Sequence, residues 1–509
     1  MTTKAVTVIE LLGAGEDNAT ALTAPGGVPL SYQQLRRLVA DTLAALNAHG
    51  IGRNDRVAIV LDNGPHMASA FLSVAAGATA APLNPGYRAD EFEFYLTDLR
   101  AALLIVETGK TSPAVDVATK LGIPIARLTT LPERGAGEFT LEFPPGPTVT
   151  AQQPGPAAAD DIALVLHTSG TTSRPKIVPL SQRNICASAL NVRASLAMTQ
   201  TDRALNIMPL FHIHGLVAGV MAPLSGGGAV SCTPGFNALK FFGWMSETRP
   251  TWYTAVPTMH QAILMRAQNH ADVIRANPLR FIRSCSSALA PQVLHQLEDV
   301  FGAPVLEAYG MTEAAHQMAS NPLPPGARKP GTVGLASGSE VCILDESGQP
   351  VAPGVTGEIA IRGPNVMSAY EANPKANAEA FTNGWFRTGD QGVMDEAGYI
   401  SLTGRLKEII IRGGEKISPR EVDEVLMDHP AVLQCLTFAV PHDKLGEEVA
   451  VIVVLREGIE ATATELREFA AKRLADFKVP KKVVFRPEIP KGATGKLQRI
   501  GLAQKLGLA

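Results

Sequence analysis

Apolar positions fall into two patterns along the chain, short continuous runs and sets spaced three or four residues apart, and the two take turns. RVAIVL at 56–61 precedes the helix-spaced PHMASAFLSVAAGA. AALLIVE at 101–107 precedes AVDVATKLG, and DIALVLHTSG at 161–170 breaks off in a loop of small residues. Five or six apolar residues bounded by turn formers predict a strand buried on both faces. Strands alternating with helices predict α/β layers on parallel sheets. The texture changes near residue 331: SEVCILDESGQPV and TGEIAIRG alternate with a period of two, and DESG predicts a hairpin within an antiparallel sub-sheet.

A compact unit begins near residue 406. It predicts a hairpin at 412–414, a helix from Pro419, strands at AVLQCLTFAV and VAVIVVL, and a helix at ATELREFAAKRL. The expected fold class is therefore α/β: a large N-terminal domain (1–405) of layered α/β sheets plus an antiparallel sub-sheet, then a small mobile α+β C-terminal domain (406–509). PPGPTVTAQQPGPAAAD at 144–160 is too rich in proline and small residues to build a core and is expected as a surface linker. The most apolar window, 67–86, is broken by Gly77 and Pro82, so a buried helix running into a strand is expected there, not a membrane span.

Composition adds exclusions. A chain of 509 residues exceeds what one core organises. The balance of 46% apolar and 18% charged residues is that of an ordinary globular protein. A net charge of −3 without any basic block argues against a nucleic-acid partner. Cys186, Cys232, Cys285, Cys342 and Cys435 are scattered, which suits reduced thiols better than a disulfide frame or a zinc site. No apolar leader with a cleavage site opens the sequence, and the terminal LGLA is unlike the peroxisomal Ser-Lys-Leu. A cytoplasmic protein with no membrane partner is expected.

The chemistry starts at HTSGTTSRPK, 167–176. Thr168, Ser169, Thr171 and Thr172 surround Gly170 with hydroxyls, and the stretch ends on Arg174 and Lys176. Neither the Walker spacing nor the G-x-S-x-G elbow fits. A solvated turn and a phosphate cradle remain, the latter with N–H groups and hydroxyls around phosphate oxygens and Lys176 as a point charge. EAYGMTEAAHQM (307–318), GWFRTGD (384–390), GRLKEIIIRGGEKISPREVDEVL (404–426) and PKGATGKLQR (490–499) follow in that order. Together these motifs, spread over nearly the whole chain, resemble the adenylate-forming acid–thiol ligase superfamily. That group includes acyl-CoA synthetases, coumarate-CoA ligases, luciferases and peptide-synthetase adenylation domains.

The resemblance implies ATP, Mg²⁺ and CoA as the small molecules used, and it chooses the phosphate cradle for the loop. Thr168, Ser169, Gly170, Thr171, Thr172 and Lys176 would hold the pyrophosphate part of ATP. Ser173 and Ile177 stand where relatives carry glycine, at the rim. By the same resemblance Thr312 contacts the α-phosphate, Glu313 holds Mg²⁺, and Tyr309 and Gly310 lie at the adenine. Asp390, after RTG at an expected strand end, accepts the ribose hydroxyls, with Arg405 as a second ribose or phosphate contact. Lys407 is the hinge. Lys496 bridges the acid and the α-phosphate during adenylation, with Thr312 and Glu313 as the other catalytic residues. Arg412, Gly413, Gly414 and Glu415 guide CoA once the small domain has turned.

The acid is approached through a few unusual positions. SCSSALAP (284–291) carries Ser286 and Ser287 where many relatives have glycine or alanine. His212 and His214, in PLFHIHG, lie on a segment that lines the acyl pocket in relatives. His316 follows Thr312 by four residues, so a helix there would place both on one face. A short polar pocket results, suited to a second carboxylate, because an unpaired buried carboxylate is costly. MTEAAHQMASNPLPPGARKPGTVG, HTSGTTSRPK and RSCSSALAP resemble oxalate–CoA ligases, which implies oxalate held by His316, Ser286 and a loop histidine. A hydroxycinnamate or medium-chain acid is the alternative substrate. A carrier-protein adenylating module or a luciferase-like oxidase is the alternative activity.

Overall fold

The computed structural model describes residues 5–146, 149–168, 175–491 and 497–509. Among them the chain forms four sheets. In the seven-stranded sheet, Arg56–Val60 lies parallel between Thr79–Pro82 and Leu103–Glu107, and Ile125–Thr130 follows. One edge closes with the antiparallel hairpin of Ile162–His167 and Ile177–Ser181. In the nine-stranded sheet, Thr20–Thr23, Ala229–Cys232, Arg203–Asn206, Trp252–Ala255, Phe281–Ser284 and Val305–Met311 run parallel. This is the α/β fold class expected.

Helices cover these sheets as their apolar spacing dictates. Pro65–Ala75 starts with proline at its first turn and is buried from Met67 to Ala75, so it lies between layers rather than at the surface. Its continuation, Thr79–Pro82, is a strand. Both large sheets contribute to one core, in which Ile59, Phe71, Val178, Leu216, Val230 and Met318 share a cluster. That shared burial fixes the strand ends of one sheet against those of the other.

The antiparallel sub-sheet also forms, from Glu340–Leu344, Gly357–Arg362, Trp385–Met394 and Ile400–Arg405. DESG turns the chain, with the Asp345 N–H donating to Gln349 O at 2.9 Å, but only Leu344 and Pro350 bridge across it. Pro350 and Pro353 lack the N–H a ladder needs, so the partner strand is Gly357–Arg362 instead.

The last sheet uses Ile410–Arg412, Glu415–Ile417, Val432–His442, Gly446–Leu455 and Lys482–Phe485, packed by Pro419–Met427 and Ala463–Ala471. Its two apolar clusters draw only on residues from Ile410 onward. Between this sheet and the preceding strand, Leu406–Glu408 is a single tight turn that leaves Lys407 exposed. The described part of 144–160 is mostly exposed but is tied down: Val149 bridges to His49, the Ala151 and Ala157 N–H groups donate to Asn47 O and Ala76 O at 3.0 and 2.9 Å, and both alanines are buried.

Two expectations are corrected. The segment after Thr312 is not a helix: Thr312–Ala314 makes one short turn, and His316–Ser320 is a strand returning along Val305–Met311, with Met311 opposite His316. Positive φ at Ala315 (48°) and His316 (110°) reverses the chain. All five strand residues are buried, so no period of two was visible. Asp390 is not at a strand end either. It lies inside Trp385–Met394, opposite Arg405, where Gly389 at φ 74° and a register shift form a bulge.

Candidate active site

The described residues on either side of the hydroxyl-rich segment pair as a β-hairpin. His167 pairs with Ile177, the Thr168 N–H donates to Lys176 O at 2.9 Å, and the Lys176 N–H donates to Thr168 Oγ1 at 3.1 Å. Ser169, Gly170, Thr171 and Thr172 lie outside the described residues, as does Lys496. A Walker loop leads into a helix; here the chain enters a strand, so the two loops are unrelated in architecture as well as in spacing.

Lys176 sits with Nζ 3.9 Å from the centroid of the Tyr370 ring, and the Tyr370 hydroxyl donates to Glu313 Oε1 at 2.8 Å. Burial lowers the Lys176 pKa, the Glu313 carboxylate opposes that shift, and Lys407 adds to it. Tyr370 thus joins the ammonium and the carboxylate that the motifs supplied separately. Sequence reasoning missed it, and its one signal is an aromatic hydroxyl in an otherwise plain loop. Among the described residues no group of three or more His, Cys, Asp or Glu is placed to hold a metal. Glu313, buried and aimed at this corner, fits the mode in which Mg²⁺ takes one protein carboxylate and completes its shell with phosphates and water.

A cleft of about 320 Å³ runs from this body to the last sheet. Tyr309, Gly310, Asp390 and Arg405 line it on one side, Leu497 and Arg499 on the other. Asp390 is buried and accepts from the Tyr309 hydroxyl and from Arg405 Nε, the latter at 2.8 Å. Each carboxylate oxygen keeps a further lone pair for a ligand hydroxyl. Burial and the Asp390 charge raise the Tyr309 phenol well above its usual value, so it stays a donor. The hairpin bearing Arg412, Gly413, Gly414 and Glu415 does not line the cleft; Arg412 Nε donates to Glu448 at 2.6 Å within its own sheet.

The acid-pocket candidates converge with one exception. His214 opens a wide helical turn, His214–Met221, and its ring stacks on His316 with centroids 4.8 Å apart. His214 Nδ1 lies 3.1 Å from Ser286 Oγ, and Ser286 lines the cleft. Gly310 makes this possible, since a Cβ there would stand 2.1 Å from His316 O. His212 is half-buried and instead accepts the His214 N–H on Nδ1 at 3.3 Å. The tertiary fold adds Thr254, Arg283 and Gln317 behind His214. Arg283 and Gln317 lie within quoted motifs, but nothing in those motifs singled them out.

Glu307 lines the same cleft, and burial pushes its carboxyl from 4.5 up to about 7. The folded chain therefore holds a proton that the unfolded chain releases near 4.5. Stability from this group is lost as pH rises from there through 7, by on the order of 2–3 kcal/mol. Glu307→Gln should raise the Tm relative to wild type at pH 8 and not at pH 5. Equal shifts at both pH values would refute it.

The site and fold together define a nucleotide-dependent ligase class, and the comparisons agree. The chain belongs to the AMP-binding enzyme family, whose model matches residues 13–371, with the AMP-binding enzyme C-terminal domain matching 421–496. It is 46% identical to an oxalate–CoA ligase of Arabidopsis thaliana, with 95% of each chain covered. It is 44% identical to an oxalate–CoA ligase of Saccharomyces cerevisiae, covering 96% of this chain and 94% of that one. Among solved structures, ATP-bound MatB from Rhodopseudomonas palustris superposes with a TM-score of 0.88 at 28% identity, over 98% of both chains. Apo MatB gives 0.77 at the same identity, so the arrangement here is nearer the ATP-bound one. Among the described residues no helix is long and apolar enough to cross a membrane.

Proposed function

We propose that the chain is an ATP-dependent, AMP-forming acid–CoA ligase acting on oxalate. In the first step an oxalate oxygen attacks the α-phosphorus of ATP, the α–β bridging bond breaks, and pyrophosphate leaves. In the second the CoA thiolate attacks the acyl carbon and AMP leaves. Thr168, Lys176 and the hydroxyl loop take the pyrophosphate portion, Thr312 the α-phosphate, and Tyr309, Gly310, Asp390 and Arg405 the nucleoside. Glu313 would hold Mg²⁺, which supplies charge neutralisation to the phosphates. Residues 1–405 carry these groups, and 406–509 carry the hinge Lys407, the CoA-guiding 412–415 and Lys496. A cytoplasmic location suits both the free thiols and the use of CoA.

The observation that carries the choice of acid is the His214–His316 stack beside Ser286, a polar cluster buried behind the cleft wall where an aromatic acid would need an apolar slot. Similarity to two oxalate–CoA ligases over nearly the whole chain supports it. The test is pyrophosphate release with oxalate, malonate, acetate, hexanoate and ferulate in turn. Oxalate is expected to give the highest kcat/KM. A preference for ferulate or hexanoate would overturn the choice of acid and leave the ligase chemistry standing.

A further inference from the structure

Arg283 lies within the nine-stranded sheet with no exposure to solvent. Its partners are neutral. Nη2 donates to Gln317 Oε1 at 2.9 Å, and Nη1 stands 3.4 Å from both Thr254 Oγ1 and His214 Nε2. The Gln317 amide is not free to turn. Its nitrogen donates to the Ser195 and Ser337 hydroxyls at 2.8 Å each, and Ser195 already donates to Val192 O, so the amide oxygen faces the guanidinium. Arg283 Nε meets no oxygen or nitrogen acceptor, the Cys285 thiol is the further group that acts on the guanidinium, and no carboxylate among the described residues does. A guanidinium keeps its charge in a protein, and burying one without a counter-ion costs several kcal/mol.

The proton positions around it follow. A guanidinium only donates, so Thr254 Oγ1 accepts from Nη1 and passes its own proton toward His214 Nε2, 2.7 Å away. His214 is then neutral, with its proton on Nδ1, and donates to Ser286 Oγ. That leaves the Ser286 hydroxyl proton as a donor at the cleft, on a residue held at φ 77°. The fixed positive charge of this pocket is Arg283, not His214. Buried charge–dipole chains of this kind are weakly screened and mutually polarised.

We propose that Arg283 is a positioning residue that selects acids bearing a second anionic group: acting through Thr254 and His214, it orients Ser286 as a donor toward that group and supplies the buried positive charge that the anion completes. The inference rests on the reading of the acid given above. It predicts an unusual split. Arg283→Met keeps the apolar stem and removes the charge, so KM for oxalate should rise about tenfold to 100-fold while KM for ATP and turnover of acetate stay within about twofold. Without substrate, its Tm should equal or exceed that of wild type, because an unneutralised buried charge is gone. Arg283→Lys should restore most of the oxalate KM. Thr254→Val and Ser286→Ala interrupt the same relay and should raise the oxalate KM comparably, and combining them should cost no more than the worse single change. These two variants carry the test if Arg283→Met does not fold.

An unchanged oxalate KM in Arg283→Met, equal loss on acetate and oxalate, or multiplying losses in the Thr254→Val/Ser286→Ala pair would each overturn the relay. A wild type that ignores oxalate and malonate but uses neutral-tailed acids would overturn the acid reading instead, so the two failures are told apart by the wild-type panel.

Discussion

Lys496→Ala is expected to slow acyl-adenylate formation by about 100-fold to 1,000-fold while changing thioester formation from pre-formed adenylate only a few-fold. The argument is electrostatic. In the first half-reaction an anionic carboxylate must approach an α-phosphate that is itself anionic, and a cation between them removes that repulsion as the new bond forms. In the second half-reaction the attacked carbon is an acyl group and the leaving group is AMP, so the same cation has no comparable task. Lys496 follows two glycines in GATGK, a spacing suited to projecting one long side chain. Leu497 and Arg499, just beyond it, line the cleft. Pyrophosphate exchange measures the first step, and thiol transfer to synthetic adenylate measures the second. Equal losses in both would refute a role confined to adenylation.

His316→Ala should lower kcat/KM for oxalate by about 30-fold to several-thousand-fold, the range found when one member of a desolvated charged contact is removed. His316 is almost wholly buried, stacked on His214 and placed against Gly310 at the cleft, so alanine leaves a void in place of its ring nitrogens. A second carboxylate would then lose a partner without regaining bulk water. A neutral-tailed acid has nothing to lose at that position, and a longer one gains room. Steady-state kinetics with oxalate and ferulate, in wild type and variant, separate the cases. A parallel drop on both acids would point to collapse of the pocket rather than to recognition of charge.

The two sites differ in how they could be read. The residues proposed for the nucleotide were legible because they are local: Thr168 and Lys176 lie eight positions apart in one hairpin, and Thr312 and Glu313 are adjacent. Short segments that must place N–H groups, hydroxyls and charge within one phosphate's reach keep a recognisable order. Asp390 and Arg405 were found as motif residues, but their pairing depends on register across two strands and on the bulge at Gly389.

The acid side was legible only in part. His214, Ser286 and His316 were named from composition and resemblance, and the helix assumed for His316 was wrong, because a strand buried on both faces shows no alternation. Tyr370 offered only an aromatic hydroxyl in a plain loop, Thr254 lay in no motif, and Arg283 and Gln317 sat inside quoted motifs without being singled out. Alternating apolar and polar positions, together with local motifs, determined the layered α/β class, the small C-terminal unit and the hairpin proposed to bind phosphate, since these depend on interactions between near neighbours. Which charge lies behind His214, and which hydroxyl it orients, was decided by parallel strands that bring Thr254 beside Arg283 and a reversed strand that brings Gln317 against Arg283. Such contacts join residues distant in sequence, and only the packing of the whole sheet brings them together.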